Sequence, residues 1–121
     1  KHGEILGCAT WGPASEHERN PGLFHYAIHA VEMLYALMGP GVERVWNVRQ
    51  KDVDVVTANW TDGRLATVRG TRKGTAGFGF TAFAAKGTAS VPVPTTYIYR
   101  ELLKQVIAMF ETGKSPVDIR E

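Results

Sequence analysis

Three pairs of a polar residue followed by glycine divide the second half of this chain and constrain its fold most strongly. They are Asp62-Gly63, Lys73-Gly74 and Lys86-Gly87, and segments rich in β-branched or aromatic residues flank them. Asp-Gly between two such segments is a strong signal for a β-hairpin, and the other glycines mark turns. The pattern predicts consecutive antiparallel strands joined by tight turns.

The complete set of predicted elements points to one fold class. Helices are predicted over 23–38 and about 96–112, and each ends at a glycine, Gly39 or Gly113. A strand and a polar loop precede the first helix, and a run of strands separates the two helices. This order indicates an α+β fold, an open, mostly antiparallel sheet with helices packed on one face. The predicted strands cover residues 3–11, 42–50, 53–61, 64–72, 77–85 and 88–93.

Length and composition narrow the classes of protein that remain. The 121 residues fit one domain that is large enough to bury a core. A net charge of +2 is too small to indicate a nucleic-acid or membrane partner, and no apolar run reaches transmembrane length. Cys8 is the single cysteine; it is expected to be a small core residue, and it fits a reducing compartment. We therefore expect a cytoplasmic protein with no nucleic-acid or membrane partner.

The first predicted helix is apolar on nearly every face and carries three ionisable side chains in its interior, His25, His29 and Glu32. Steps of four and three residues place them on one stripe of the helix surface. A helix this apolar should be buried nearly all round, so the stripe is expected to face water, a polar cleft or a partner.

Three interpretations of this stripe stay open at the level of the residues. The stripe faces solvent and has no chemical role. Alternatively, the side chains hold a metal ion, because histidines four residues apart can share one zinc. In the third interpretation a histidine performs acid–base catalysis, because imidazole titrates near neutral pH.

Motifs along the chain resemble the C-terminal domain of the Gfo/Idh/MocA oxidoreductases, the family of glucose–fructose oxidoreductase and inositol dehydrogenase. The likeness runs from Gly3 to Ile119, and the order and spacing of the motifs carry it. The motifs are "GEILGCATWGP", "GLFHYAIHAVEMLYALMG", "DVVTANWTDGRLATVRGTRKG" and "FETGKSPVDIRE".

This resemblance implies a substrate-binding and oligomerisation domain of an NAD(P)-dependent enzyme that acts on a sugar or polyol CH–OH group. The implied fold is like that of the C-terminal domains of dihydrodipicolinate reductase and glyceraldehyde-3-phosphate dehydrogenase. In the family, an N-terminal Rossmann domain binds NAD or NADP. This chain has no G-x-G-x-x-G between a strand and a helix. We therefore expect residues 1–121 to be one domain excised from a longer chain, to bind no cofactor and to be inactive alone.

The resemblance also assigns roles to residues and partners. His29 matches the family's catalytic histidine, which exchanges a proton with the substrate hydroxyl. His25 stands where the family usually has an aspartate; we expect it to bind substrate, but a neutral imidazole cannot supply a carboxylate's charge. Glu32 is expected to be a supporting partner or a surface residue. The expected partners are the sugar or polyol, the Rossmann domain, and further copies bound through the sheet face.

Three residues outside the helix complete the predicted substrate site. Trp11 lies at the end of a strand, where its ring could stack on a sugar, and Arg69 and Arg72 could supply a cation to the pocket. No metal site is predicted. The alternative function is a non-catalytic module that binds a ligand or metal through His25, His29 and Glu32, and a third is an interaction domain that dimerises through its sheet.

Overall fold

The computed structural model describes residues 2–74 and 77–116. These residues form six β-strands, a short 3-10 helix and two α-helices. The elements are β1 (Ile5–Pro13), the 3-10 helix (Gly22–Phe24), α1 (Ile28–Met38), β2 (Val42–Gln50), β3 (Val53–Trp60), β4 (Leu65–Thr71), β5 (Phe78–Ala84), β6 (Gly87–Val93) and α2 (Ile98–Thr112). Lys1 and residues 117–121, which include Ile119 at the end of the last motif, lie outside the described part.

The described strands form one open sheet in the order β2-β3-β4-β1-β5-β6. Every neighbouring pair is antiparallel except β1 and β4, which run parallel in the middle of the sheet. The strand bounds agree with the predicted ones to within two residues, and the α+β class is confirmed. Tight turns explain this agreement where they join β2 to β3, β3 to β4 and β5 to β6. The prediction of a tight turn between paired strands at Lys73-Gly74 is wrong, because β1 lies between β4 and β5 in the sheet.

α1 packs on one face of the sheet through small and aliphatic side chains. Ala30, Leu34 and Met38, each four residues apart, are buried against Cys8 and Trp60. The prediction that this helix would be buried nearly all round is wrong, because the sheet covers one side alone. Its outer side leaves Tyr35 exposed to 43%.

The start of α1 also differs from the prediction of one helix over 23–38. A 3-10 turn is followed by a short irregular stretch, and the α-helix begins at Ile28. Asn20 Nδ2 donates a hydrogen bond to Phe24 O at 3.2 Å, so that carbonyl has a partner other than the Ile28 N–H of a continuous helix. His29 N and Ala30 N then bond three residues back, to Tyr26 O and Ala27 O.

α2 ends as predicted at Gly113, whose backbone is left-handed and whose N–H bonds to Met109 O at 2.8 Å. Its packing differs from the expectation of two helices on the sheet. No residue of α2 is buried, and its apolar side chains, such as Leu103 and Phe110, are exposed. Among the described residues, no helix combines the length and hydropathy required to cross a bilayer.

Candidate active site

The beginning of α1 lies very close to the centre of the sheet. Thr10 Oγ1, on β1, donates a hydrogen bond to Ala30 O at 2.8 Å, and the pair is buried. A Cβ atom on Gly12 would lie 3.5 Å from Ala30 Cβ, and one on Gly70 would lie 3.6 Å from Ala27 Cβ. Both glycines therefore face α1 at ordinary contact distance, and the atoms that they make room for are the Phe78 ring, at 2.7 Å, and Ala14 Cβ, at 2.8 Å. The hydrogen bond from Thr10 to Ala30 holds the beginning of the helix on the sheet, and it sets the position of the residue immediately before Ala30.

That residue is His29, which projects from the first turn of α1 beside two aromatic rings. Its ring meets Tyr26 edge-on at 5.5 Å between centroids and Phe78 at 6.0 Å. Nδ1 lies 3.0 Å from Glu32 Oε2, one turn along the helix, and the His29 side chain is 53% exposed. The predicted pairing of His29 with Glu32 on one stripe is therefore present.

An open groove of about 1110 Å³ begins at this pair and extends towards the start of α2. His29, Glu32 and Phe78 line one part of it, and Pro94 and Tyr99 line another. The described lining is mostly apolar, includes no lysine or arginine, and has Glu32 as its one carboxylate. An apolar groove with a few polar groups at one end is the usual form of a small-molecule site.

His25 lies apart from this groove. It precedes α1, and its ring lies 5.3 Å from the ring of His17 and 6.1 Å from that of Tyr26. The stripe of three ionisable groups is thus divided, with His29 and Glu32 together and His25 beside the loop that follows β1. The irregular stretch before Ile28 causes this division, because residues outside an α-helix do not keep its periodicity.

Trp11 and Arg69 face the opposite side of the sheet from α1. Gly12 and Gly70 point to the helix, so their neighbours point away from it. The two residues are register partners on β1 and β4, and Trp11 covers Gly79. The structure therefore brings Trp11 and Arg69 together but does not bring them to His29, and their substrate-binding role stays a prediction.

The guanidinium of Arg72 is held by hydrogen bonds to the turn between β2 and β3. It donates to Lys51 O at 2.9 Å and to Gln50 O, and it pairs with Asp54. Burial disfavours the charge on Asp54, but hydrogen bonds from Arg72 and Asn47 outweigh this and hold the pKa of the carboxyl below its ordinary value. Arg72 thus has a structural partner, and we leave it out of the proposed pocket.

The described residues offer little support for a metal site, a reactive cysteine or a dinucleotide site. No three His, Cys, Asp or Glu side chains lie close enough in 2–74 and 77–116 to hold a metal ion. Cys8 is a buried core residue, as expected, and burial raises the pKa of its thiol from 9.0 to about 11. Residues 75 and 76 of the glycine-rich stretch lie outside the described residues. The described residue Gly77 comes directly before β5, so the element that follows it is a strand, whereas the dinucleotide fingerprint opens a helix.

Sequence reasoning missed the residues that position His29. These are Thr10, Gly12, Gly70, Tyr26 and Phe78. The glycines carried a usable signal, because a glycine inside a strand often marks the close approach of another backbone. The contact between Phe78 and His29 had no local signal, since β5 follows α1 by forty residues or more.

Comparison with known proteins gives a match through structure. No family model and no curated protein matches the sequence. Two solved structures of UDP-N-acetylglucosamine 3-dehydrogenase GnnA from Acidithiobacillus ferrooxidans match the fold, with TM-scores of 0.65 and 0.67 at 10% and 11% identity. The matches cover 93% of this chain and 47% and 46% of those chains, so it spans about half their length. At this identity the likeness shows the fold: the chain is built like one part of a dehydrogenase.

Proposed function

We propose that this chain is the substrate-binding and oligomerisation domain of an NAD(P)-dependent oxidoreductase that acts on a sugar or polyol CH–OH group. The fold shared with part of a dehydrogenase supports this, as does the family resemblance of the motifs around His29. The observation that carries the proposal is the position of His29 at the end of an apolar groove that is open to solvent.

His29 is the acid–base catalyst in this proposal. As the alcohol is oxidised, the imidazole takes the hydroxyl proton while the hydrogen on the same carbon leaves with its electron pair. The nicotinamide, held by a dinucleotide-binding domain outside this chain, supplies the hydride acceptor. Tyr26 and Phe78, whose rings stack at 6.1 Å and 23°, give the groove a flat apolar wall for the CH face of a sugar.

A direct test compares the 121-residue chain with the complete polypeptide that contains it. NADH and NADPH binding is followed by nicotinamide fluorescence, and sugars and polyols are then screened as substrates. We expect binding and turnover by the complete polypeptide alone. Binding by neither would contradict the proposal.

A matched pair of variants tests the role of His29 in the complete polypeptide. His29→Ala should lower kcat by about 10²–10⁴-fold, the usual contribution of general acid–base catalysis. His17→Ala removes a histidine that lies outside the groove, and it should leave kcat unchanged. An unchanged kcat in His29→Ala would refute the catalytic role of this residue.

The face of the sheet opposite α1, the open face, is the proposed oligomer interface. Trp46, Val48, Leu65 and Phe83 lie on it and are about half exposed or more. Trp11 and Arg69 share this face, which places them in the interface rather than the groove under this proposal. A second copy of the chain could cover these apolar side chains with its own.

Two valines of β2, three positions apart and on opposite faces of the sheet, make a controlled test of that interface. Val48 lies on the open face and is 65% exposed, whereas Val45 is 58% exposed on the side of α1. Light scattering coupled to size exclusion should report an oligomer for the unmodified chain and for Val45→Lys, and a monomer for Val48→Lys. A monomeric unmodified chain would refute the interface.

A further inference from the structure

The hydrogen bond between His29 and Glu32 specifies which imidazole nitrogen carries the proton. Nδ1 lies 3.0 Å from Glu32 Oε2. An ionised carboxylate can only accept hydrogen bonds, so the neutral ring must hold its proton on Nδ1 to make this bond. We infer that neutral His29 is the Nδ1–H tautomer, that Nε2 is its unprotonated nitrogen, and that Glu32 is the positioning residue that sets this arrangement.

His17 supplies a contrasting case in the same chain. Its Nδ1 accepts a hydrogen bond from the backbone N–H of Arg19 at 3.2 Å. An accepting nitrogen carries no proton, so neutral His17 must be protonated on Nε2. Two histidines separated by twelve positions therefore hold opposite tautomers, each set by one neighbour, and His17 serves as an internal reference.

Glu32 is suited to this role because nothing else in the described structure competes for it. Its carboxylate has His29 as its one hydrogen-bonding partner among the described residues. No lysine or arginine lines the described part of the groove. Residues three apart on a helix are neighbours, so the backbone of α1 holds the two groups together.

His25 cannot serve in place of Glu32. Its ring contacts are with His17 and Tyr26, and its backbone lies outside α1. The carboxylate that the family resemblance leads one to expect four residues before His29 is absent, and the one that contacts His29 comes three residues after it. The partner has therefore moved to the other side of the histidine along the helix.

The catalytic consequence rests on the proposed function, whereas the tautomer does not. With Nδ1–H held by Glu32, Nε2 is the nitrogen that accepts the proton of the substrate hydroxyl. The ring then becomes a cation, and the adjacent carboxylate stabilises it. This is the same division of labour by which a carboxylate orients a catalytic histidine in a hydrolase triad.

The tautomer can be read directly by nuclear magnetic resonance on this chain. Long-range ¹H–¹⁵N correlations distinguish protonated from unprotonated ring nitrogens, and at about pH 9 free imidazole side chains are neutral. We expect His29 to show a protonated Nδ1 and His17 a protonated Nε2. A majority of Nε2–H at His29 would overturn the inference.

Variants assign the effect to Glu32. Glu32→Ala should reverse the majority at His29 to Nε2–H, the form that free histidine prefers, and leave His17 unchanged. Glu43→Ala removes an exposed carboxylate on β2 and should change neither ring. If His29 kept its Nδ1 proton in Glu32→Ala, Glu32 would not be the group that sets the tautomer.

Turnover by the complete polypeptide separates this inference from the function on which its use depends. Glu32→Ala should lower kcat with KM little changed, by up to the roughly 10⁴-fold loss that follows when a hydrolase triad loses its carboxylate and the histidine takes the wrong tautomer. An unchanged kcat would refute the positioning role, even with the tautomer confirmed. A normal kcat in His29→Ala would instead refute the catalytic role of His29 and leave the tautomer assignment standing. Failure of the unmodified complete polypeptide to bind NADH or NADPH and to turn over any sugar or polyol would refute the proposed function itself.

Discussion

Gly70→Ala tests the close approach of the chain before α1 to the sheet. A Cβ atom on Gly70 would lie 2.8 Å from Ala14 Cβ and 3.5 Å from Leu23 Cδ2. Ala14 is 1% exposed, and a Cβ cannot rotate away from a contact because the backbone fixes it. The segment after β1 must therefore move by at least about 0.6 Å to restore an ordinary carbon–carbon distance.

The magnitude follows from two opposing terms. An extra methyl group in a tightly packed site costs about 1–3 kcal/mol. Replacing glycine by alanine returns about 0.4–1 kcal/mol by restricting the unfolded chain, and Gly70 does not have the positive φ that would cancel this gain. We expect the free energy of unfolding to fall by about 1–2 kcal/mol.

Urea unfolding followed by tryptophan fluorescence measures this change, with two further variants as controls. Gly77→Ala places a methyl group where no described atom lies within 4 Å, and it should not destabilise the chain. The double variant Ala14→Gly, Gly70→Ala removes the atom that the new methyl strikes, so it should be more stable than the sum of its single changes predicts. The packing argument would be refuted if the two changes in the double variant altered the free energy of unfolding additively. It would also be refuted if Gly70→Ala alone left that free energy unchanged.

Three further predictions concern stability and reactivity. Asp54→Asn should lower the free energy of unfolding by about 3 kcal/mol at neutral pH, because it leaves Arg72 without its buried anion. The pKa of Asp54 is lowered in the folded chain, so its stabilisation is present above the ordinary carboxyl pKa and is lost as the pH falls through the folded value. Urea unfolding at a series of pH values should therefore show the stabilities of the two proteins converging in acid. Cys8 should resist alkylation in the folded chain at pH 8 and react on unfolding, and rapid labelling would contradict its burial and its pKa of about 11. Leu34→Ala should cost about 2–5 kcal/mol in thermal or urea unfolding, whereas Leu103→Lys on the uncovered helix should change the stability of this chain by less than about 0.5 kcal/mol.

The positions of the strands could be predicted because local sequence signals mark where each strand begins and ends. The pairing of strands that are distant in the sequence could not be predicted. Turns such as Asp62-Gly63 join adjacent strands, and the hydrogen bond that Arg64 N donates to Asp62 Oδ1, two residues away, shows how local that geometry is. The parallel contact of β1 with β4 joins segments more than fifty residues apart, and no turn encodes it. The predicted start of α1 was wrong for a related reason, since the hydrogen bond that Asn20 Nδ2 donates to Phe24 O competes with the helical pattern.

The burial of the two helices was unpredictable for a different physical reason. The amphipathic or apolar pattern of a helix predicts how much of its surface should be buried, but it does not predict which element covers that surface. α1 and α2 both leave apolar side chains uncovered in this chain, including Tyr35 and Phe110. Apolar character alone therefore does not predict how much of a helix the rest of its own chain covers.

The division of the predicted site residues between two faces follows from strand parity and could have been found in the sequence. Successive side chains of a strand point to opposite faces, so Trp11 and Gly12 diverge, as do Arg69 and Gly70. If the glycines are taken as the points where the helix approaches, Trp11 and Arg69 must lie on the far side. The helix carries His29 and Glu32 on the near side. No strand residue assigned to the open face touches the His29–Glu32 pair. Substitutions on the two sides of the sheet therefore test the proposed chemistry at the groove and the proposed association through the open face separately.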